Sequence, residues 1–100
     1  MIKGTVLYGH PADVNAFESY YSEIHLPLVS NVTGITKAEY TKFLPGPDGS
    51  PPAYYRMAEL YFNNPAEMQQ ALSSSEGMAM AADLSNFATG GVTILIGTIN

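Results

Sequence analysis

The chain contains no cysteine, only four basic residues and no long apolar run. Each absence excludes something. Without cysteine there can be no disulfide, no thiolate metal site and no thiol nucleophile. Lys3, Lys37, Lys42 and Arg56 are the whole basic complement against nine acidic residues, for a net charge of −5. No basic patch can be assembled from these, so nucleic acid and anionic membranes are not expected partners. No apolar segment approaches the roughly 20 residues that span a bilayer. The first residues lack the basic-then-apolar shape of a signal peptide, so the cytoplasm is the expected location. Charge of either sign is scarce at 13% of residues, where about 25% is usual. A surface this poor in charge is most simply relieved by burying part of it against a second copy, so a homodimer is expected. The alternative is that Ser, Thr, Asn and Gln cover the outside.

What is present reads as one domain of 100 residues. Ile2 to Tyr8 is β-branched and apolar and stops at Gly9, His10 and Pro11, which predicts a first strand. Asp13 offers an N-cap, and Phe17, Tyr20, Tyr21, Ile24 and Leu28 recur at helical spacing. After Gly34 an alternating segment predicts a second strand, and Ala53 to Phe62 predicts a third. Pro45 to Pro52 between them is a turn-rich loop, so the two strands should pair as an antiparallel hairpin. Asn64, Pro65 and Glu67 have the spacing of an N-cap, an N1 proline and a capping box. Ser73 and Glu76 repeat that spacing and predict a second helix start. Gly77, Met80, Leu84 and Phe87 then share one face, Gly90 and Gly91 end the helix, and Val92 onward predicts a fourth strand. The order βαββαβ predicts a ferredoxin-like α+β fold, with both helices on one face of a four-stranded antiparallel sheet.

The strands carry a second message. A sheet wet on one face alternates apolar and polar residues. Here Val92, Ile94 and Ile96 point one way while Leu95 and Ile99 point the other. The third strand sets Ala58, Leu60 and Phe62 against Tyr55, Met57, Glu59 and Tyr61. Helices can cover only one side. The other side is expected to face its counterpart in a second copy, as in a dimeric α+β barrel. Between the sheets would lie either a ligand cavity lined by Tyr55, Met57, Glu59 and Tyr61 or a dry dimer core.

His25 is the candidate catalytic residue. Pro27 lacks an N–H and restricts Leu26, so the first helix is expected to kink or end near His25. Histidine most readily exchanges a proton near neutrality, and His25 lies beside Tyr21 at the edge of the apolar face. It is either a general acid/base at a cavity mouth, with Tyr21 a substrate-binding neighbour and Glu59 a possible orienter, or a cap for carbonyls loosened by Pro27. His10, beside Pro11 in a strand-to-helix loop, reads as a surface residue. His10 and His25 have no carboxylate at ligand spacing, so no metal site is expected. No phosphate loop and no nucleophile-elbow serine occur.

Tyr20, Tyr21, His25, Pro27 and Leu28 after a strand, together with "SSSEGMAMAADLSNFATGGV" near the end, resemble the EthD-like family over essentially the whole chain. The resemblance implies a dimeric α+β barrel. It also implies kinship with small enzymes of that fold, among them monooxygenases, muconolactone isomerase and polyketide cyclases. Of its site residues only His25, with Tyr21 beside it, carries over. Two functions are then open. One is an enzyme without bound cofactor, an oxygenase, isomerase or cyclase acting on a small hydrophobic or aromatic oxygen-bearing molecule in a degradation or biosynthetic pathway. The other is a non-catalytic dimeric module that binds such a molecule or supports an oxidative pathway.

Overall fold

Strand β1 spans Ile2–Tyr8 and runs through the middle of the sheet, pairing antiparallel with β3 (Arg56–Phe62) on one side and β4 (Val92–Thr98) on the other. Strand β2 (Lys37–Lys42) pairs with the outer edge of β3, giving the order β2-β3-β1-β4, all antiparallel. These relations come from a computed structural model that describes residues 1–100. The topology is the expected ferredoxin-like one, although β2 and β3 are shorter than the sequence pattern suggests.

Three helical segments follow β1 without a break in backbone conformation. They are α1 (Val14–Tyr20), a π-helical turn (Tyr21–His25) and α2 (Leu26–Ser30). Asp13 caps α1 as expected, its Oδ1 accepting from Ala16 N at 3.0 Å. The helix does not end at His25; of the two outcomes expected from Pro27, a kink or an end, the structure shows a local distortion of the helix. The chain widens by one residue instead, and the Leu26 N–H donates to the Tyr21 carbonyl five positions back. Pro27 then occupies the first turn of α2, where a missing N–H costs least. Such single-turn π bulges accommodate local mismatch in a helix and are frequent at functional sites.

The second helical pair is α3 (Pro65–Ser73) and α4 (Ser75–Phe87). Asn64 Oδ1 accepts from Glu67 N at 2.8 Å, while the Glu67 carboxylate takes its bond from Asn63 Nδ2. The cap of α4 is Ser74, one residue later than the Ser73 that the spacing suggests, and its Oγ accepts from Gly77 N at 3.0 Å. Gly77 is obligatory where α4 folds back on α3. A Cβ there would stand 2.1 Å from the Ala71 carbonyl oxygen.

The helices cover one face of the sheet and form two buried clusters with it. The first is Ile2, Val29, Val32, Leu60, Phe62, Met68, Ala71 and Met80. The second is aromatic: Tyr8, Phe17, Tyr21, Tyr55 and Phe87 around Ala58. Phe17 contacts Tyr8, Tyr55 and Phe87 edge-on, with centroids 5.2 to 5.5 Å apart, a geometry that adds roughly 0.5–1.5 kcal/mol per pair beyond burial. No residue of β4 is buried.

Candidate functional site

Between the two clusters, the helix-covered face encloses a cavity of about 180 Å³. Sheet residues Gly4, Val6, Tyr8, Ala58 and Leu60 form its floor, and Tyr21, His25, Met80 and Leu84 close it from the helices. Gly4, Ala58 and Ala81 are small, and they leave the space that larger side chains would fill. Ile94 and Ile96 border it on β4 while remaining 56% and 65% exposed, so the open side lies along that edge strand. No Lys, Arg, Asp or Glu side chain lines the wall.

His25 is the polar centre of this wall. The π turn places its ring under α4, only 3% exposed. It stacks on Tyr21 with centroids 5.8 Å apart and meets Phe87 at a tilt with centroids 4.6 Å apart. Its Nδ1 lies 2.9 Å from Asp83 Oδ2. Asp83 is itself 6% exposed, and its other oxygen accepts from the Tyr20 hydroxyl at 2.6 Å and from Asn86 Nδ2 at 3.0 Å. Burial alone would push the Asp83 carboxyl up. The bonds from Tyr20, Asn86 and His25 outweigh it and hold the group below its ordinary value. A carboxylate at Nδ1 fixes the tautomer of a neutral imidazole: the proton sits on Nδ1 and Nε2 is left as acceptor.

His25 thus does not cap loosened carbonyls, and Glu59 is not its partner. Glu59 lies on the opposite sheet face, where its Oε2 accepts from Lys3 Nζ at 2.6 Å. Met57 and Tyr61 share that face, and the Tyr61 hydroxyl donates to Glu39 at 2.7 Å. None of the three borders the cavity. Tyr55 is buried in the aromatic cluster beside Phe17, outside the cavity wall. Of the residues singled out from sequence, the structure brings together His25 and Tyr21. His10 is exposed, with Nε2 2.8 Å from the Pro52 carbonyl oxygen.

Tyr21 has further partners. Arg56 lies over its ring at 5.1 Å and is held there by Glu18, whose two oxygens accept from Arg56 Nε at 2.8 Å and Nη2 at 2.6 Å. The Tyr21 hydroxyl is buried and makes no hydrogen bond of good geometry, although the Tyr8 phenol lies close enough to influence it. Desolvation pushes the phenols of Tyr21 and Tyr8 well above the ordinary tyrosine value, so both stay protonated as donors. Sequence reasoning missed Asp83. Its position three after Met80 and four before Phe87 puts it on the buried face of α4, and that placement was the available signal.

The fold and the buried pair define a ferredoxin-like α+β protein with a histidine on the wall of a largely apolar cavity, backed by Asp83. The EthD domain matches residues 10–91. An uncharacterized 11.0 kDa protein from the thcB-thcC intergenic region of Rhodococcus erythropolis is 45% identical over 95 residues, which is 95% of this chain and 91% of that one. The crystal structure of an EthD-family protein from Bacillus halodurans superposes with a TM-score of 0.93 at 32% identity, covering 100% of this chain and 99% of that one. A dimeric ferredoxin-like protein from Bacteroides fragilis shares the fold, with a TM-score of 0.69 at 16% identity over 98% and 95% of the two chains. The chain belongs to the EthD family.

Proposed function

We propose that this EthD-family protein binds a small hydrophobic or aromatic, oxygen-bearing molecule in the cavity and uses His25 as a general base on it, without a bound cofactor. The observation that carries the reading is His25 on a wall without charged side chains, backed at 2.9 Å by Asp83 behind it. Asp83 orients the ring and stabilises positive charge as His25 takes a proton. Tyr21 and Tyr8 supply phenolic donors beside it for the oxygen on which negative charge develops. Cofactor-free oxygenation, isomerisation through an enolate and aldol-type cyclisation each begin with such a proton removal.

The working form is a homodimer in the cytoplasm. Only 17 of 100 residues are buried in the single chain, and Leu95, on the helix-free face of β4, stands more than half exposed. A second copy placed against the helix-free face would cover Leu95, Met57 and their neighbours.

Acetophenone in D2O tests the base directly. The protein should accelerate exchange of its methyl protons, read by NMR. His25→Asn should lower the catalysed rate by roughly 10²–10⁴-fold. Acetophenone binding with no exchange above background would leave the non-catalytic module as the function.

A further inference from the structure

The hydrogen-bonding character of the cavity restricts its ligand more narrowly. We infer that the cavity takes an uncharged, single-ring compound bearing a hydroxyl that donates to His25 Nε2, that is, a phenol, in preference to an ether or a carboxylate. This rests on the cavity being the ligand site.

Three observations carry it. Asp83 holds Nδ1 of His25, which leaves Nε2 of the neutral tautomer as an acceptor on a ring that lines the cavity, and a ligand hydroxyl can donate to it. Tyr21 lines the same wall, and its hydroxyl, beside that of Tyr8, makes no hydrogen bond of good geometry in the chain. A phenolic oxygen both donates and accepts, so one group can serve both neighbours, whereas an ether or carbonyl oxygen offers nothing to Nε2.

Charge gives the second restriction. No cationic side chain lines the wall, and Arg56, behind the Tyr21 ring, is committed to both oxygens of Glu18. A carboxylate would enter without a counter-charge, which is costly in an apolar site. Size gives the third. A dry cavity of about 150 Å³ is known to hold benzene, so about 180 Å³ suits one ring with a small substituent.

The test is calorimetric titration of the intact protein with p-cresol, toluene, 4-methylanisole, p-toluate and 2-naphthol. The expected result is p-cresol binding roughly tenfold or more tightly than toluene and 4-methylanisole, the size expected when a buried acceptor goes unpaired. p-Toluate and 2-naphthol should bind more weakly than p-cresol. In His25→Leu the preference for p-cresol over toluene should disappear while toluene binding persists. Equal affinity of the wild type for p-cresol, toluene and 4-methylanisole overturns the inference and leaves the cavity site standing. Tighter binding of p-toluate or 2-naphthol than of p-cresol overturns it too. Binding of none of the five removes both the inference and the cavity reading beneath it.

Discussion

Asp83 on α4 and His25 in the π turn meet at 2.9 Å although they stand 58 positions apart in the chain. Both are largely buried, and each supplies what the other lacks. The carboxylate gains three donors in a buried position, and the imidazole gains a fixed orientation.

Asp83→Asn should therefore change two things. An amide cannot accept from Tyr20, Asn86 and His25 as the carboxylate does, so the variant should lose about 1–3 kcal/mol of stability. Its pH dependence should also flatten. The folded Asp83 carboxyl lies below its ordinary value of 3.8, so at low pH the unfolded chain binds the proton more readily than the folded one. The contribution is present above that ordinary value and is lost as pH falls through it toward the folded value. Urea unfolding of both proteins between neutral pH and strong acid should show the wild-type excess shrinking across that window.

Arg56 joins β3 to α1 through a two-pronged bond to Glu18 and lies over Tyr21. Arg56→Lys keeps the charge but loses the fork and the flat contact with the ring. The expected cost is about 0.5–1.5 kcal/mol, since Glu18 is partly solvated. The same bond holds the Glu18 carboxyl below its ordinary value. Thermal unfolding with added salt checks the electrostatic share: the gap between the two proteins should narrow as salt rises.

Gly9 and Gly90 touch back to back where β1 leaves the sheet and the chain turns into β4. A Cβ on Gly9 would lie 2.2 Å from the Gly90 carbonyl oxygen. Gly9→Ala should lower stability by roughly 1–3 kcal/mol through forced backbone displacement. An unchanged melting temperature in Gly9→Ala would mean that the two segments separate freely.

Sedimentation at micromolar concentration should give twice the 10.7 kDa chain mass. Leu95→Glu, on the helix-free face of β4, should shift it toward the monomer, because a charge buried at an apolar interface is costly unless paired. A wild-type monomer at that concentration contradicts the dimer.

Much of the fold was legible from short-range chemistry. Asp13 and Asn64 announce helix starts because their side chains accept from the third residue on, and both do so. The strands show as β-branched and aromatic runs bounded by glycine and proline. Pro27 marked where the helix is distorted but not how, because the rule that proline interrupts a helix presumes α-helical bonding, and the π turn sidesteps it. Asp83 was hidden because a helical face is read by its apolar members. A single acid among them looks like an exception until its partner on another element is known. The helix-side cavity was hidden for a related reason. Alternation in β3 and β4 shows two apolar faces, but whether the helix-covered one encloses space depends on how small Gly4, Ala58 and Ala81 are beneath helices whose spacing is a tertiary property.

The nitrogen NMR signals of the His25 ring test the central claim most directly. In the neutral ring the proton should sit on Nδ1, and saturating p-cresol should move the Nε2 resonance while leaving Nδ1 bonded to Asp83. A neutral His25 protonated on Nε2, or an Nε2 resonance unmoved by p-cresol up to its solubility, would contradict the account.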